Sequence, residues 1–534
     1  MQKDRKRKYW GWGRTDFEID KVALEKSISM LEMGLGTKAT APLSPRPVEE
    51  LSIPKPRFEL TPSLSSFCSD DAYIRANHTY GKAYRDVWRA LRAPFDHAPD
   101  YVAFPSNEEE IAEIYEFAGE RNIAVIPYGG GSSVVGGIEP RFNKNYSGCI
   151  SVDMQNFDQL LEVDRESRSV KLQAGMYGPA VEKALRPHGY TLRHYPQSFE
   201  FSTLGGWIAT HAGGHFATMY THIDDFVQSI KMVSPSGVIS TRRLPGSGAG
   251  PDDNHAIMGS EGIYGIITEA WMRVQELPKN KAAYTISFPS WESGVEACRL
   301  LSQSALFPSN ARLISAFEAM FNNLGSGQDT LILGFESHEA PLEERVKAAL
   351  QICRDQGGTW KEKTSESKKR SADADTWKKS FLQAPYMRDE LVRYGFIVET
   401  FETCTTWHNF PAFHKAINQV AQAALAEVGS KGYVSCRFTH LYPDGPAPYY
   451  TIIASGSPDK QLEQWDTIKR KVSEALIEQG GTITHHHAVG RDHRPSYTDQ
   501  HSNLYGNVLR SVKKTLDPNG IMNPGVLLDE DTVD

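Results

Sequence analysis

The sequence predicts an α+β protein with several domains, on the basis of two observations. In the first half, short apolar strands alternate with amphipathic helices, and three glycine-rich stretches are interspersed among them. After Pro278 the pattern changes to longer helices and strands. A chain of 534 residues is long enough for roughly two to four domains, each with its own core.

A regular strand–helix–strand unit begins near residue 101. Tyr101–Phe104 and Ile123–Ile126 are apolar runs typical of buried strands, and the apolar residues between them recur at helical spacing. Ser106 and Glu109 predict a capping box at the start of that helix. Further predicted elements are strands at 149–153 and 169–174 and a helix that begins at Val181 and ends near Gly189.

The loop that follows this unit, from Pro127 to Gly137, contains five glycines within nine positions. Glycine lets the backbone approach a ligand closely, and successive N–H groups in such a turn form a nest for an anion such as phosphate. The loop lacks the third glycine of a Rossmann fingerprint, and no Gly-Lys-Ser/Thr of a Walker loop follows it. Similar stretches occupy residues 202–214 and 259–270. Together the three stretches predict a large, phosphate-bearing cofactor that is bound by backbone groups.

Composition and charge exclude several classes of function. The net charge is −8 and no nucleic-acid-binding motif is visible, so no nucleic-acid partner is expected. No apolar run approaches the roughly 18–20 residues of a membrane span. The six cysteines are scattered without a CxxC pair, which indicates free thiols in a reducing compartment. Because no signal peptide or peroxisomal targeting signal is visible, a cytoplasmic location is expected.

Two charged segments are each open to two interpretations. The basic run Lys3–Lys8, beside Tyr9-Trp-Gly-Trp-Gly13, is either a solvated tail or an anchor on an anionic membrane surface, where cations and tryptophans are favourable. The segment 359–377 is rich in charge and poor in aliphatic residues. It is either a mobile surface loop or an active-site lid.

The run His485–His487 lies between glycines in the second half of the chain. In an extended segment His485 and His487 would share one face, and His486 would point the other way. The run is interpreted as a catalytic cluster, as a metal site, or as a structural cluster of surface or buried histidines.

Two further residues are each open to a chemical and a structural interpretation. Tyr449 is either a general base, whose phenolate would be favoured by the histidines and by Arg437, or an ordinary strand aromatic. Arg388 offers either a bidentate grip on a carboxylate or phosphate, or a surface ion pair with Asp389 or Glu390.

The three glycine-rich stretches, in this order, resemble the FAD-binding domain of the vanillyl-alcohol-oxidase superfamily, and residues 516–525 resemble its closing motif. The resemblance implies a two-subdomain FAD-binding domain of the PCMH/VAO type at 95–278 and an α+β substrate domain at 279–470. A C-terminal segment, 471–534, would return to the FAD domain. An N-terminal segment with a proline-rich linker would occupy residues 1–94.

The same resemblance implies which residues hold FAD. Gly129–Ser133 would cradle the pyrophosphate. Many relatives attach FAD covalently through a histidine of the first loop, whereas Ser132 and Ser133 stand there in this chain, so non-covalent FAD is expected. The implied cofactor-binding residues are Pro127, Gly129, Gly130, Gly131, Ser132, Ser133, Ser198, Thr203, Gly205, Gly206, Glu261, Gly262 and Ile267.

Within that superfamily the chain resembles the alkyldihydroxyacetonephosphate synthase family. The residues that carry this likeness are Trp10-Gly-Trp-Gly13, Arg388-Asp389, Phe401-Glu-Thr403, Arg437, Tyr449 and His485–His487. Oxidising relatives hold a metal with two histidines around an Asp-Gly turn. Here His440 supplies only the first, and Tyr449 stands near the place of the second, so no metal is expected.

This family exchanges the acyl chain of acyl-dihydroxyacetone phosphate for a fatty alcohol without net redox change, with FAD as an electron sink. The resemblance implies that Tyr449 is the general base and that Arg388 holds the leaving carboxylate. His485, His486 and His487, with Arg437, would bind the phosphate and tune Tyr449. Glu402 and Thr403 are implied as further substrate contacts.

The implied partners are lipid substrates, with peripheral membrane contact and a homodimer as further expectations. The alternative function is an FAD-dependent 2-hydroxy-acid dehydrogenase, which shares the first half of the chain. A hydroxy acid would reduce such a flavin fully, whereas the ether-forming cycle would leave it oxidised.

Overall fold

The computed structural model describes residues 6–92, 94–143, 146–321, 327–361 and 372–530, with the side chains of 372–381 excepted. It confirms the predicted α+β class. The strands are β1 (Cys68–Ser69), β2 (Tyr101–Ala103), β3 (Ile123–Tyr128), β4 (Gly148–Asp153), β5 (Leu160–Asp164), β6 (Ser169–Gln173), β7 (Tyr190–Thr191), β8 (Val227–Ser234), β9 (Gly237–Ser240), β10 (Ile266–Arg273), β11 (Gln275–Glu276), β12 (Asn280–Ser287), β13 (Asn310–Ile314), β14 (Thr330–Ser337), β15 (Phe396–Glu402), β16 (Gly432–Leu441) and β17 (Pro446–Ser455).

The helices connect and cover three main sheets. They are α1 (Lys21–Leu35), α2 (Pro62–Ser65), α3 (Ala72–Asn77), α4 (Tyr84–Arg92), α5 (Glu108–Arg121), α6 (Gly178–Leu185), α7 (Leu204–Ala209), α8 (Asp253–Ile257), α9 (Trp291–Gln303), α10 (Ala316–Phe321), α11 (Glu343–Asp355), α12 (Ala372–Arg393), α13 (Phe410–Glu427), α14 (Gln461–Glu478), α15 (Arg494–Gln500) and α16 (Asn503–Leu516). Among the residues described, no helix is both long and apolar enough to cross a membrane.

The first sheet, β1-β2-β4-β3, positions the first glycine-rich loop. β3 and β4 run parallel, and the loop begins where β3 ends at Tyr128. The C-terminal segment joins this sheet, because the Val125 N–H donates to the Ile521 carbonyl at 2.8 Å and the Asn523 N–H to the Val125 carbonyl at 2.9 Å. The predicted return of the C-terminal segment to this domain is confirmed.

The second sheet, β5-β6-β10-β8-β9, is antiparallel and carries the other two glycine-rich stretches. Helix α7 lies within the second stretch and packs against β10, and the third stretch leads directly into β10. The Thr203 side chain caps α7 by accepting the Gly206 N–H at 3.4 Å. The two sheets thus bring all three stretches to one region.

The third sheet, β12-β14-β13-β16-β17-β15, is antiparallel and presents the candidate chemistry. Tyr449 on β17 lies directly opposite Arg437 on β16 and Glu402 on β15. Directly opposed residues project from the same face of a sheet. Phe401 and Tyr450 project from the other face, into the core that includes α13 and α14.

The described N-terminal residues, from Lys6 onward, fold onto the body of the protein. Trp10 and Trp12 are only 8% and 6% exposed. Trp10 belongs to the core against the third sheet, and Trp12 packs edge-on against Phe201 at 5.4 Å between ring centres. Residues 9–12 are therefore not a solvated tail, whereas Lys3, Asp4 and Arg5 of the basic run lie outside the described residues. Because both tryptophan rings are buried in this structure, they present no surface to a membrane here, and the membrane contact stays a prediction.

Three predicted boundaries change. The cap of α5 is Asn107, whose side chain accepts the Glu110 N–H at 2.9 Å, so the predicted Ser106–Glu109 box is displaced by one residue. Of the charged segment 359–377, residues 362–371 lie outside the described residues, and residues 372–377 begin α12 instead of forming a loop. The predicted boundary at 470 falls inside α14.

Candidate active site

A cavity of about 1030 Å³ lies between the glycine-rich stretches and the polar face of the third sheet. Its wall includes all the residues predicted to bind the cofactor: Pro127, Gly129, Gly130, Gly131, Ser132, Ser133, Ser198, Thr203, Gly205, Gly206, Glu261, Gly262 and Ile267. It also includes Arg312, Arg388, Arg437, His440, Tyr449, His486 and His487. The tertiary structure therefore brings the predicted cofactor residues together with Arg388, Arg437, Tyr449, His486 and His487, whereas Glu402, Thr403 and His485 do not border the cavity.

The first glycine-rich loop can form its cradle only because its residues lack side chains. A Cβ on Gly130 would lie 1.8 Å from the Phe201 carbonyl oxygen, and one on Gly129 would lie 2.3 Å from Thr203 Oγ1. Gly131 adopts a φ of +66°, the left-handed conformation that favours glycine. Backbone thus lines this part of the cavity on both sides, which fits the extended diphosphate of FAD.

Glu261 joins the third stretch to the C-terminal segment. Its carboxylate accepts the N–H groups of Val489 at 2.8 Å and Gly490 at 2.7 Å, and its carbonyl accepts from Asn523 Nδ2 at 2.7 Å. Burial raises the pKa of Glu261 to about 7, although these backbone hydrogen bonds oppose the rise. In this structure Glu261 therefore mainly connects the third glycine-rich stretch to the C-terminal segment.

Tyr449 lies at the centre of the polar face and is 5% exposed. The Arg437 guanidinium lies 3.8 Å from its ring centre, and the His486 and His487 rings lie at 6.0 and 5.6 Å. Burial raises the pKa of Tyr449, although Arg437 and a hydrogen bond with Thr400 act in the opposite direction. Arg437 thus favours the phenolate as expected, but the loss of solvation outweighs it, and the pKa of Tyr449 is raised.

The three histidines wrap around the Glu402 carboxylate instead of forming an extended segment. The N–H groups of His485, His486 and His487 donate to Glu402 at 2.6, 3.0 and 2.9 Å, and the Thr484 hydroxyl donates at 2.6 Å. Burial alone would raise the pKa of Glu402, but the nearby histidines outweigh it and hold this pKa well below its usual range. The expectation that His485 and His487 share one face of an extended segment is wrong, because the chain forms a tight turn here.

Glu402 and Thr403 lie behind the cavity wall, with exposures of 2% and 0%. The Thr403 hydroxyl donates to the Thr482 carbonyl at 2.6 Å. Neither residue borders the cavity, and both support the turn that carries the histidines, so their contact with substrate stays a prediction.

Sequence analysis missed three residues of this region. His485 Nε2 lies 2.8 Å from Tyr442 Oη and 3.2 Å from His222 Nε2, so these two side chains fix the His485 ring. Arg312 on β13 borders the cavity and is 1% exposed. Arg312 could have been found from the sequence, because an arginine within an apolar strand is unusual. The sequence around His222 gives no comparable signal.

Nitrogen atoms of His440, His485 and His486 lie within 4.8 Å of one another, close enough for a metal ion. His440 Nε2 donates to the Gly214 carbonyl at 2.9 Å, which leaves Nδ1 directed away from that carbonyl. The expectation that the site uses no metal stays a prediction.

Arg388 is ion-paired with Asp389 and also lines the cavity. Its Nε and Nη2 donate to Asp389 Oδ1 at 3.0 and 2.7 Å, and the side chain also borders the cavity. Asp389 accepts the Trp12 N–H as well, which ties the N-terminal segment to α12. The ion pair is therefore a buried clamp at the cavity wall and not an exposed surface pair.

The wall contributed by α1, α10, α12 and the adjoining sheet is mainly apolar, with Lys26, Ser27, Glu318, Gln383 and Arg388 as polar members from the helices. Its apolar residues are Val22, Ala23, Met30, Phe317, Met320, Phe321, Met387, Leu391, Val398 and Ile453. Val22 and Met320 are 75% and 51% exposed, so this apolar arm reaches the surface. Burial of an alkyl chain in such an arm is favourable by about 0.8 kcal/mol for each methylene.

Three histidines whose pKa values are lowered by burial predict a loss of stability below neutral pH. Burial lowers the pKa of His194 and His493 to about 3 and that of His414 to about 4. In the unfolded chain these histidines bind protons near pH 6.5, whereas in the folded chain they stay neutral until the pH is much lower. The stability that the neutral histidines contribute is therefore complete above pH 6.5 and is lost progressively as the pH falls below it. We expect the free energy of unfolding to fall by about 2 kcal/mol per histidine between pH 7 and 5.

Denaturant unfolding at both pH values measures this decline. His493→Asn, whose amide can still donate to the Ala488 carbonyl, should remove one histidine's share, and the exposed His255→Gln should leave the decline unchanged. Equal stability at pH 5 and pH 7 would contradict the assignment.

The fold and the cavity together define a flavin-dependent enzyme: a backbone cradle for a dinucleotide faces a buried cationic and histidine-rich site. The family model "FAD binding domain" matches residues 99–242, and "FAD linked oxidases, C-terminal domain" matches residues 277–527. Alkyldihydroxyacetonephosphate synthase of Dictyostelium discoideum is 31% identical over 89% of this chain and 81% of its own length. That of Trypanosoma brucei brucei is 29% identical over 86% and 78%.

Solved structures agree with these relatives. An alkyldihydroxyacetonephosphate synthase aligns with a TM-score of 0.81 at 26% identity, over 97% of this chain and 98% of that chain. The 4-ethylphenol oxidase of Gulosibacter chungangensis shares the fold, with a TM-score of 0.68 at 14% identity over 96% and 98%. This chain belongs to the alkyldihydroxyacetonephosphate synthase family and is an FAD-dependent enzyme.

Proposed function

We propose that this enzyme exchanges the acyl chain of acyl-dihydroxyacetone phosphate for a fatty alcohol and releases the fatty acid. The observation that supports this most is the joining of three environments in one cavity. A backbone cradle suits FAD, a cationic and histidine-rich face suits a phosphate, and an apolar arm suits a long alkyl chain. A small 2-hydroxy acid would leave that arm unused.

The phosphate of the substrate is proposed to bind at the polar face of the third sheet. Arg312 and Arg437, the latter ion-paired with Glu318, place guanidinium groups there, and the guanidinium group suits the geometry of a phosphate. His486 and His487 border the same space and carry ring N–H groups. Their turn is already held by Glu402, so binding would not need to order it.

Tyr449 is proposed to remove the proton from the carbon beside the ketone. Since its pKa is raised, Tyr449 must first release its own proton to solvent, and Arg437 stabilises the phenolate that then accepts the proton of the substrate. FAD supplies the electron sink that no side chain provides. Arg388 would receive the departing carboxylate, for which its Nη1 is available beyond the two atoms that bind Asp389.

FAD is proposed to be held without a covalent bond. Ser132 and Ser133 occupy the loop positions at which an attaching histidine would stand, and both border the cavity. The expected homodimer and peripheral membrane contact stay predictions.

Anaerobic turnover tests the proposal. Purified enzyme with palmitoyl-dihydroxyacetone phosphate and labelled hexadecanol should form a labelled ether, leave the flavin oxidised, and yield no ether without the acyl substrate. Acid precipitation of the same preparation should leave FAD in the supernatant. No ether product, together with bleaching of the flavin by 2-hydroxy acids, would instead assign the chain to dehydrogenase chemistry.

A further inference from the structure

The N-terminal turn, residues 6–15, lies against the outer side of the first glycine-rich loop. Arg7 and Arg14 pair in an antiparallel bridge, and the Lys8 N–H donates to the Gly13 carbonyl at 3.0 Å. The Tyr73 hydroxyl donates to the Arg7 carbonyl, which holds the turn on the body of the protein. The Arg7 side chain is thereby directed toward the loop.

Arg7 contacts the loop through its guanidinium group. Its Nη1 donates to the Gly130 carbonyl at 2.7 Å, and the group lies 4.9 Å from the Tyr177 ring centre and 5.6 Å from that of Phe201. A planar guanidinium can stack on aromatic rings and donate in its plane at the same time, which an ammonium cannot do.

Two other donors hold carbonyls of the same loop. The Tyr177 hydroxyl donates to the Gly129 carbonyl at 3.2 Å, and the Lys82 backbone N–H donates to the Ser133 carbonyl at 2.6 Å. With Arg7 on Gly130, three carbonyls of this loop are bound by groups of other segments.

These carbonyls determine where the N–H groups of the loop point. In a planar trans peptide the carbonyl and the following N–H point in opposite directions. The N–H groups of Gly130, Gly131 and Val134 therefore point away from the three donors. All three residues border the cavity.

We propose that Arg7 is a positioning residue of the FAD site. By holding the Gly130 carbonyl, it keeps the loop in the conformation that presents its N–H groups to the diphosphate of FAD. Its positive charge also raises the local potential for an anion. When the N–H groups are already in place before FAD binds, no binding free energy is spent on ordering the loop. The N-terminal turn is thus a component of the cofactor site.

Titration of apoprotein with FAD, followed by flavin fluorescence, tests this proposal. Arg7→Gln should weaken the FAD dissociation constant at least about tenfold, since a hydrogen bond to a charged group and its charge are both lost. Arg7→Lys should be intermediate. Lys6→Gln is the matched control, because the Lys6 ammonium lies over Tyr73 and not at the loop, and it should bind FAD as the wild type does.

Thermal unfolding of each apoprotein separates positioning from folding. Arg7→Gln should unfold within about 2 °C of the wild type, because Arg7 is only partly buried. If Arg7→Gln does not fold, Tyr177→Phe provides the second test, and it should weaken FAD severalfold through loss of the Gly129 contact. Wild-type affinity in these variants, or a loss that only parallels apoprotein stability, would overturn the proposal. Since no lipid substrate is present, failure of the proposed reaction would not affect this result.

Discussion

Replacement of Tyr449 by phenylalanine is expected to lower turnover roughly 10²–10⁴-fold while FAD stays bound. The change removes one hydroxyl from the centre of the polar face, beneath the Arg437 guanidinium at 3.8 Å from the ring. The ring itself remains, so its packing against His486 and His487 is kept. Turnover of acyl-dihydroxyacetone phosphate with labelled alcohol and the absorbance of bound flavin measure the two outcomes.

Because the pKa of Tyr449 is raised, wild-type turnover should also increase with pH above 7, as more phenolate becomes accessible. The phenylalanine variant should lose that increase. A pH profile therefore separates a proton-transfer role from a packing role.

Tyr450→Phe is the matched control. Tyr450 is the next residue on β17, projects from the other face, and has its hydroxyl 2.9 Å from His414 Nδ1. Its loss should cost about 1 kcal/mol of stability and leave turnover near that of the wild type. Equal activity losses in both variants would show that Tyr449 acts through packing and would refute its role as base.

Glu402→Gln should have the second large effect, on both stability and turnover. The buried carboxylate accepts hydrogen bonds from three consecutive backbone N–H groups and from the Thr484 hydroxyl. A glutamine amide places an NH₂ donor among these donors and removes the negative charge. We expect a loss of about 3–5 kcal/mol in the free energy of unfolding, since buried donors lose their partner.

The turn at His485–His487 should rearrange in this variant, so turnover should fall even at temperatures where the protein stays folded. Denaturant unfolding and turnover at low temperature measure the two effects. Glu399→Gln is the matched control. Glu399 is a buried carboxylate on the same strand that binds Lys469 at 2.9 Å, away from the cavity. Glu399→Gln should lower the free energy of unfolding and leave turnover near that of the wild type.

A Glu402→Gln variant with wild-type stability and turnover would contradict the assigned role of the carboxylate. Loss of activity in both glutamine variants to the same degree would indicate a general effect of destabilisation on the site.

The pattern of the sequence predicted the strands β2, β3, β4 and β6 and the glycine-rich loops, and the family resemblance implied the residues that line the cofactor cavity. These features depend on local requirements. Gly131 needs a left-handed φ, and Gly129 and Gly130 leave no room for a Cβ. Such requirements are visible in residue type alone. The cap of α5 was displaced by one residue because Asn107 competes with Ser106 for the same role.

The sequence by itself thus determined the fold class, the cofactor cradle and the residue types of the polar face. Only the tertiary structure decided the turn of the histidines around Glu402, the raised pKa of Tyr449 and the burial of the N-terminal turn. The reason is separation along the chain: Glu402 and His485 are 83 residues apart, and Arg7 and Gly130 are 123 apart. Desolvation and hydrogen bonding between such distant residues depend on packing, which local sequence patterns do not encode.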